Sequence, residues 1–124
     1  MSSKKKIIVV EDEEMLLKAL NVVLLSAGYE VLSATDGLKG EEIIKKELPD
    51  GVLLDIQLPG KNGFDVLADL KKDPKTKKIP VVILSNMGQE EEIKKGKALG
   101  AQDYFVKSNT DIDKVVEKIE KYLK

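Results

Sequence analysis

The stretch GVLLDIQLPG at residues 51–60 places a carboxylate, Asp55, directly after a short apolar run. Burying an unpaired carboxylate costs free energy, so an aspartate at the end of a buried strand needs a chemical or structural reason. Asp55 could start the turn that Pro59 and Gly60 predict. A carboxylate held there could instead act as a nucleophile and form an aspartyl phosphate. The choice depends on which other groups the fold brings to Asp55.

Four more polar residues follow other short apolar runs in the same way. Glu11 and Asp12 follow the run KIIVV, Ser85 ends the run PVVILS, and Lys107 follows DYFV. Three carboxylates at one place would raise one another's pKa unless a cation compensates their charge. Mg²⁺ suits such a site, because it takes one or two carboxylates and completes its shell with water and phosphate oxygens. Lysine can hold a phosphate as a point charge, and a serine hydroxyl can donate to a phosphoryl oxygen.

Each of these residues has another explanation when it is considered alone. Glu11 and Asp12 could favour the start of a helix, since carboxylates stabilise helix N-termini. Ser85 could be an ordinary loop or cap residue, and Lys107 could be a surface charge. Their joint placement at the ends of successive strands favours a common site, with Asp55 placed to be phosphorylated.

The pattern of apolar residues predicts five strands that alternate with five helices. This alternation is typical of an α/β fold, a doubly wound parallel sheet with helices on both faces. Ligands bind beyond the carboxyl ends of the strands in such sheets. The fourth helix is predicted to be weak, because Gly96 in its interior costs roughly 1 kcal/mol relative to alanine. The strands are predicted at residues 6–10, 29–34, 52–54, 80–85 and 103–106, and the fourth helix at residues 89–99.

The composition excludes several classes of function. The chain has 124 residues, which favours a single domain, and its 21 basic and 22 acidic residues give a net charge of −1. This balance gives no electrostatic reason to expect nucleic acid or membrane binding. Cysteine and histidine are absent, which leaves a hard cation on oxygen ligands as the expected metal. We find no apolar run long enough to cross a bilayer and no signal-peptide pattern, and so predict a cytoplasmic protein.

Taken together, these motifs resemble the receiver domain of bacterial-type two-component response regulators. The matching segments are VVEDEE, LLDIQLPGKNGFDVL, PVVILSN and ALGAQDYFVKS, in this order. The resemblance extends over essentially the whole chain and predicts one receiver domain at residues 1–124. Because no output domain follows, we expect either a single-domain regulator, similar to chemotaxis regulators, or an excised receiver. The family implies a flavodoxin-like sheet with the strand order 2-1-3-4-5.

The resemblance also implies a role for each site residue. A histidine kinase or a histidine phosphotransfer protein would transfer a phosphoryl group to Asp55, and the chain would signal to an unidentified effector rather than act as an enzyme. It would be a monomer or a phosphorylation-dependent dimer. The family implies that Mg²⁺ is bound by the side chains of Asp12 and Asp55, by Glu11 through water and by the backbone carbonyl of Gln57. It implies that Lys107 and Ser85 bind the phosphoryl group. It also implies that Tyr104 is a rotating aromatic switch.

Signalling is expected through the surface of helix 4, strand 5 and helix 5. When Asp55 carries a phosphoryl group, Ser85 would move toward it, and the Tyr104 ring would move inward into the vacated space. Ordinary half-burial of this aromatic residue is the alternative.

Two positions depart from the pattern of the family. The acidic pair is Glu-Asp rather than the commoner Asp-Asp, a variation that should keep metal binding. Ser108 stands where the family usually has a proline that is joined to the lysine by a cis peptide bond. A cis bond before a residue other than proline costs about 3–4 kcal/mol. We therefore predict a trans Lys107–Ser108 peptide.

Three other functions are weaker candidates. A phosphohydrolase of the haloacid dehalogenase type needs a second acid two residues after its nucleophile, where this chain has Gln57. A flavodoxin-like cofactor binder needs a phosphate loop after strand 1, where the sequence EDEE would repel phosphate. The third is a pseudo-receiver that only docks to partners, and the complete set of acceptor residues argues against it.

Overall fold

The computed structural model describes residues 4–123 and contains one sheet of five parallel strands in the order β2-β1-β3-β4-β5. The predicted fold class and strand order are confirmed. A short 3-10 helix at Lys107–Asn109 follows the last strand. The strands are β1 Lys6–Val10, β2 Glu30–Ala34, β3 Gly51–Leu54, β4 Val81–Ser85 and β5 Asp103–Val106, and the helices are α1 Glu14–Ser26, α2 Gly37–Glu47, α3 Gly63–Lys72, α4 Glu90–Ala98 and α5 Ile112–Tyr122.

The register of the sheet brings the ends of β1 and β3 to one level, and β4 extends past this level to Ser85. Val10 pairs with Leu54, and Leu54 pairs with Ile83. The residues that follow Val10 and Leu54 are Glu11 and Asp55, so the two carboxylates start side by side at the same edge. The strand pairing alone therefore brings together two of the residues that the sequence analysis selected.

Two hydrophobic clusters cover the two faces of the sheet. Side chains along a strand point alternately to opposite faces, and accordingly Ile8 and Val10 belong to one cluster while Ile7 and Val9 belong to the other. Helices α2, α3 and α4 pack on the first face, and α1 and α5 pack on the second. Every residue of β3 and β4 is buried, as central strands between two helical layers require.

Helix α4 packs more closely on the sheet than its sequence suggests. A Cβ atom at Gly96 would lie 2.7 Å from Cδ1 of Ile83 and 3.0 Å from Cδ2 of Tyr104. Gly96 is therefore the point of close contact between α4 and the strands, and not only a residue that weakens the helix. The sequence analysis gave just the second of these properties.

Two other expectations can be compared with the backbone. Among residues 4–123 no peptide bond is cis, so the Lys107–Ser108 peptide is trans as predicted. The fourth strand begins at Val81 rather than Pro80, because proline has no N–H to contribute to the ladder. Within the same range, no helix has both the length and the apolar character to cross a membrane.

Candidate functional site

Asp55 and Glu11 are buried carboxylates held by the ends of β3 and β1. Asp55 is 4% exposed, and its backbone N–H donates to the carbonyl of Val10 at 3.0 Å, which ties it to β1. Its Oδ1 accepts the N–H of Ile56 at 2.7 Å. Glu11 is 2% exposed, and its Oε2 accepts the N–H of Glu13 at 2.8 Å. Each carboxylate is thus oriented by one backbone donor and keeps its other oxygen for the pocket.

Lys107 joins the two carboxylates across the sheet edge. Its Nζ lies 2.9 Å from Oε1 of Glu11 and 3.0 Å from Oδ2 of Asp55. The Oε2 atom of Glu13 is also 3.4 Å from this nitrogen. The lysine side chain is 8% exposed, so these contacts lie largely out of water. One ammonium group therefore faces three carboxylates, and the pocket carries excess negative charge.

The burial of this charged group is visible in the pKa of Glu11. Burial, with help from the negative charge of Asp55, raises the pKa of Glu11 from its ordinary value to about 7, although the N–H of Glu13 and the ammonium of Lys107 act in the opposite direction. For Lys107, burial lowers the pKa, but its hydrogen bonds to Glu11 and Asp55 outweigh burial and the net pKa is raised. The lysine stays charged, while Glu11 is poised to bind or release a proton near neutrality.

Three carboxylates are close enough to share a divalent cation. Glu11, Asp12 and Asp55 each offer an oxygen, and these oxygens lie within 4.8 Å of one another. Two of the residues are buried, and Asp12 is exposed at the mouth. An oxygen-only, negatively charged set fits a hard cation such as Mg²⁺. Gln57, the fourth predicted ligand, lies exposed in the loop after Asp55, where its predicted carbonyl contact stays a prediction.

Ser85 and Tyr104 are connected through the loop that joins β4 to α4. Ser85 is fully buried, and its Oγ accepts the N–H of Met87 at 3.2 Å. The hydroxyl of Tyr104 donates to the carbonyl of Met87 at 2.5 Å. The Tyr104 ring is 7% exposed and already lies inward, whereas we expected it to move inward on phosphorylation. Gly96 leaves room for the ring, and the carbonyl of Met87 accepts its hydroxyl, which together explain this position.

Two residues of this neighbourhood were missed by the sequence analysis. Glu13 contacts Lys107, and Met87 connects Ser85 to Tyr104. Glu13 belongs to the acidic run EDEE, but a run of four acids does not tell which carboxylates turn inward. Met87 acts through its backbone, so its side-chain type carries no signal.

Comparisons with known proteins agree with this site. Residues 7–120 match the family model described as response regulator receiver domain. The chain is 39% identical over 102 residues to Protein PilH of Pseudomonas aeruginosa, covering 82% of this chain and 84% of that protein. It is 36% identical over 119 residues to Sporulation initiation phosphotransferase F of Bacillus subtilis, covering 96% of this chain and 94% of that protein.

Among solved structures, the fold is similar to the phosphorylated cyanobacterial phytochrome response regulator RcpA. The TM-score is 0.84 and the sequence identity is 31%, and the match covers 98% of this chain and 94% of that one. The family model covers nearly all of the residues that form the sheet and its helices. The chain therefore belongs to the response regulator receiver domain family, whose members accept phosphoryl groups in two-component signalling.

Proposed function

We propose that Asp55 is the phosphoacceptor and that the donor is a phosphohistidine on a histidine kinase or histidine phosphotransfer protein. The observation that carries this proposal is the buried Asp55 carboxylate, with the Lys107 ammonium 3.0 Å from Oδ2 and two further carboxylates beside it. The chain contains no histidine, so the phosphohistidine donor lies outside these 124 residues. The protein is then a signalling phosphoacceptor that assists its own phosphorylation and dephosphorylation.

The proposed step is a transfer between two nucleophiles. An oxygen of Asp55 attacks phosphorus and forms a P–O bond, while the P–N bond of the donor breaks. The electron pair of that bond stays on the imidazole nitrogen, which takes up a proton from solvent. Lys107 donates to one phosphoryl oxygen. Ser85 donates its O–H to another, and it can keep the hydrogen bond from Met87 because a hydroxyl donates and accepts at once.

The acidic group fits the Mg²⁺ that receiver domains bind in an acidic pocket. Asp12 and Asp55 would hold the cation by their side chains, Glu11 through water and Gln57 by its carbonyl. When bound, the cation neutralises the carboxylates and the incoming phosphoryl oxygens. Glu11 must give up any proton it carries before it can take part, since metal binding competes with protonation.

We further propose that phosphorylation acts on the surface of α4, β5 and α5. Ser85 lies at the end of β4, and its partner Met87 holds the Tyr104 hydroxyl. A phosphoryl group that engages Ser85 would fix this loop and hold the ring inward. Phosphorylation would thus bias an equilibrium between loop arrangements that exist beforehand. Amide NMR with beryllofluoride should show changes from Asp55 through Ser85 to Tyr104 and α4, and Ser85→Ala should weaken the distant ones.

The decisive experiment is phosphorylation in the absence of any partner. The protein is incubated with acetyl phosphate and Mg²⁺, and its intact mass is measured. One added phosphoryl group is expected, and none is expected without Mg²⁺. A protein that never gains this mass would be a docking module rather than a phosphoacceptor. The single-domain extent of residues 1–124, the cytoplasmic location and the oligomeric state stay predictions.

A further inference from the structure

Glu13 has an unusual position for a residue that begins a helix. It is the N-cap of α1, where a short polar side chain such as Ser, Thr, Asp or Asn ordinarily accepts a hydrogen bond from the first turn. Its carboxylate makes no such cap bond. Instead, Oε2 lies 3.4 Å from Nζ of Lys107, with half of the Glu13 side chain exposed and the lysine nearly buried. The side chain thus turns from its own helix to the lysine of the pocket.

Glu13 also stands apart from the predicted cation ligands. Within residues 4–123, the acidic group whose oxygens lie close enough to share a cation consists of Glu11, Asp12 and Asp55. Glu13 is not a member of this group, although its backbone N–H is bonded to Glu11. Its contact is with the lysine and not with the cation site.

The remaining partners of Lys107 change roles in the proposed reaction. A lysine ammonium has three N–H donors, and its closest contacts here are Glu11 and Asp55. Asp55 becomes the phosphorylated group, and Glu11 turns to the cation and its water. Among the carboxylates of residues 4–123 that contact Lys107, Glu13 has neither of these tasks.

We propose that Glu13 is a positioning residue for Lys107. Its carboxylate keeps the ammonium at the mouth of the pocket when Glu11 and Asp55 become engaged, so that an N–H stays directed at the incoming phosphoryl group. This role rests on the proposed phosphotransfer to Asp55. It acts through Lys107, without contact between Glu13 and the reacting atoms.

Glu14 provides a matched control in the same acidic run. Its side chain is 80% exposed, and its partner is Lys18 at 3.5 Å on the same helix. Glu13→Gln and Glu14→Gln remove the same charge from adjacent residues, but only the first loosens the Lys107 contact. Glu13→Ala and Glu14→Ala remove the acceptor as well.

The rate of phosphorylation by acetyl phosphate is measured at saturating Mg²⁺ and about 0.15 M salt, where the Glu13–Lys107 contact is only partly screened, and the Glu14 variants report any general repulsion of the anionic donor. Glu13→Ala should slow the reaction about two- to fivefold, the size expected for one half-exposed ion pair. Glu13→Gln should fall between Glu13→Ala and the parent. Both Glu14 variants should react at the parental rate.

A second measurement follows the lysine itself. The ¹⁵N signal of the Lys107 ammonium is recorded with Mg²⁺ and beryllofluoride bound, and Glu13→Ala should shift or broaden it while Glu14→Ala leaves it unchanged. If the parent is phosphorylated and the Glu13 variants match the Glu14 variants in rate and spectrum, the role of Glu13 is overturned alone. A parent protein that gains no phosphoryl group would overturn the phosphotransfer and this role together.

Discussion

Lys107 and Lys61 each join carboxylates from different elements, but they do so in different surroundings. Lys107 contacts Glu11 and Asp55 with its side chain 8% exposed and theirs 3% and 5% exposed. Lys61, in the loop between β3 and α3, contacts Glu41 of α2 at 2.7 Å and Asp69 of α3. Its side chain is 22% exposed, and that of Asp69 is 40% exposed.

The two lysines show that pairing alone does not make a reactive site. At Lys61 the charged forms of the lysine and its aspartate partner stabilise each other. The hydrogen bond between Lys61 and Asp69 is the main reason that the pKa of the lysine is raised and that of the aspartate is lowered. In the pocket, burial raises the pKa of Glu11 in spite of its lysine partner. The difference is an excess of buried negative charge, which a cation and a phosphoryl group can relieve.

The largest expected effect on phosphorylation comes from replacing the aspartate that contacts Lys107, compared with the aspartate that contacts Lys61. Asp55→Asn should abolish phosphorylation by acetyl phosphate, because the amide nitrogen and oxygen are poor nucleophiles for phosphorus. Asp69→Asn removes the same charge beside Lys61 and should leave the extent of phosphorylation unchanged. Intact-mass spectrometry measures both. Equal phosphorylation of Asp55→Asn and the parent would show that another residue accepts the phosphoryl group.

The second largest effect is expected when each lysine is itself replaced by alanine. Lys107→Ala should slow phosphorylation about 100-fold, the usual loss when one preorganised donor to developing charge is removed. It should also destabilise the fold at pH 8 by about 3–5 kcal/mol, because it leaves buried carboxylates without their cation. Lys61→Ala should phosphorylate like the parent. Urea denaturation measures the stability of the two variants, and the acetyl phosphate assay measures their phosphorylation rates. Similar losses of stability and rate in both variants would contradict the proposed difference between the two lysines.

The raised pKa of Glu11 gives a pH-dependent prediction. The folded value of about 7 lies above the ordinary 4.5, so folded Glu11 holds a proton between these values that the unfolded chain has lost. Its contribution to the free energy of unfolding is therefore full below pH 4.5 and is lost as the pH rises through 7. Mg²⁺ must displace this proton, so its affinity should rise about tenfold from pH 6 to pH 8.

Glu11→Gln tests the origin of this dependence. The amide cannot titrate, so the pH dependence of Mg²⁺ affinity should flatten, even if the affinity itself falls. Amide NMR titrations with Mg²⁺ at each pH give the affinity without any phosphotransfer. An unchanged pH dependence in Glu11→Gln would assign the proton to a group other than Glu11.

Much of this site could be predicted from sequence because the strands that carry it have strong local signals. The run KIIVV before Glu11 is rich in β-branched residues, the run before Asp55 is apolar, and the run before Lys107 contains two aromatic residues and a valine. Parallel pairing then brings the carboxyl ends of these strands to one edge of the sheet. The strand order itself came from resemblance to the family. The alternation of strands and helices predicts layers and parallel pairing but not which strand is central.

The missed features depend on contacts between distant residues. Gly96 was interpreted by helix propensity, but its value lies in the approach to Ile83 and Tyr104, which only the packed structure shows. The inward position of Tyr104 depends on the carbonyl of Met87, and because every residue has a backbone carbonyl, the sequence does not indicate which one will accept the hydroxyl. Lys61 was not singled out, because its two partners come from different helices that only the packed structure brings to this loop.

The smallest expected effect concerns the Lys61 contacts. Lys61→Ala should lower the melting temperature by no more than about 2–4 °C, because exposed ion pairs contribute little and are screened by salt. Asp69→Asn should have an effect of similar size, and the double variant should lose less than the sum because the two changes remove one shared contact. At about 1 M salt the differences should shrink further. Thermal unfolding monitored by circular dichroism measures all three variants. A loss at Lys61 as large as that of Lys107→Ala, or one that salt does not reduce, would mean that Lys61 holds the loop between β3 and α3 in place for Asp55, and the contrast between the two lysines would fail.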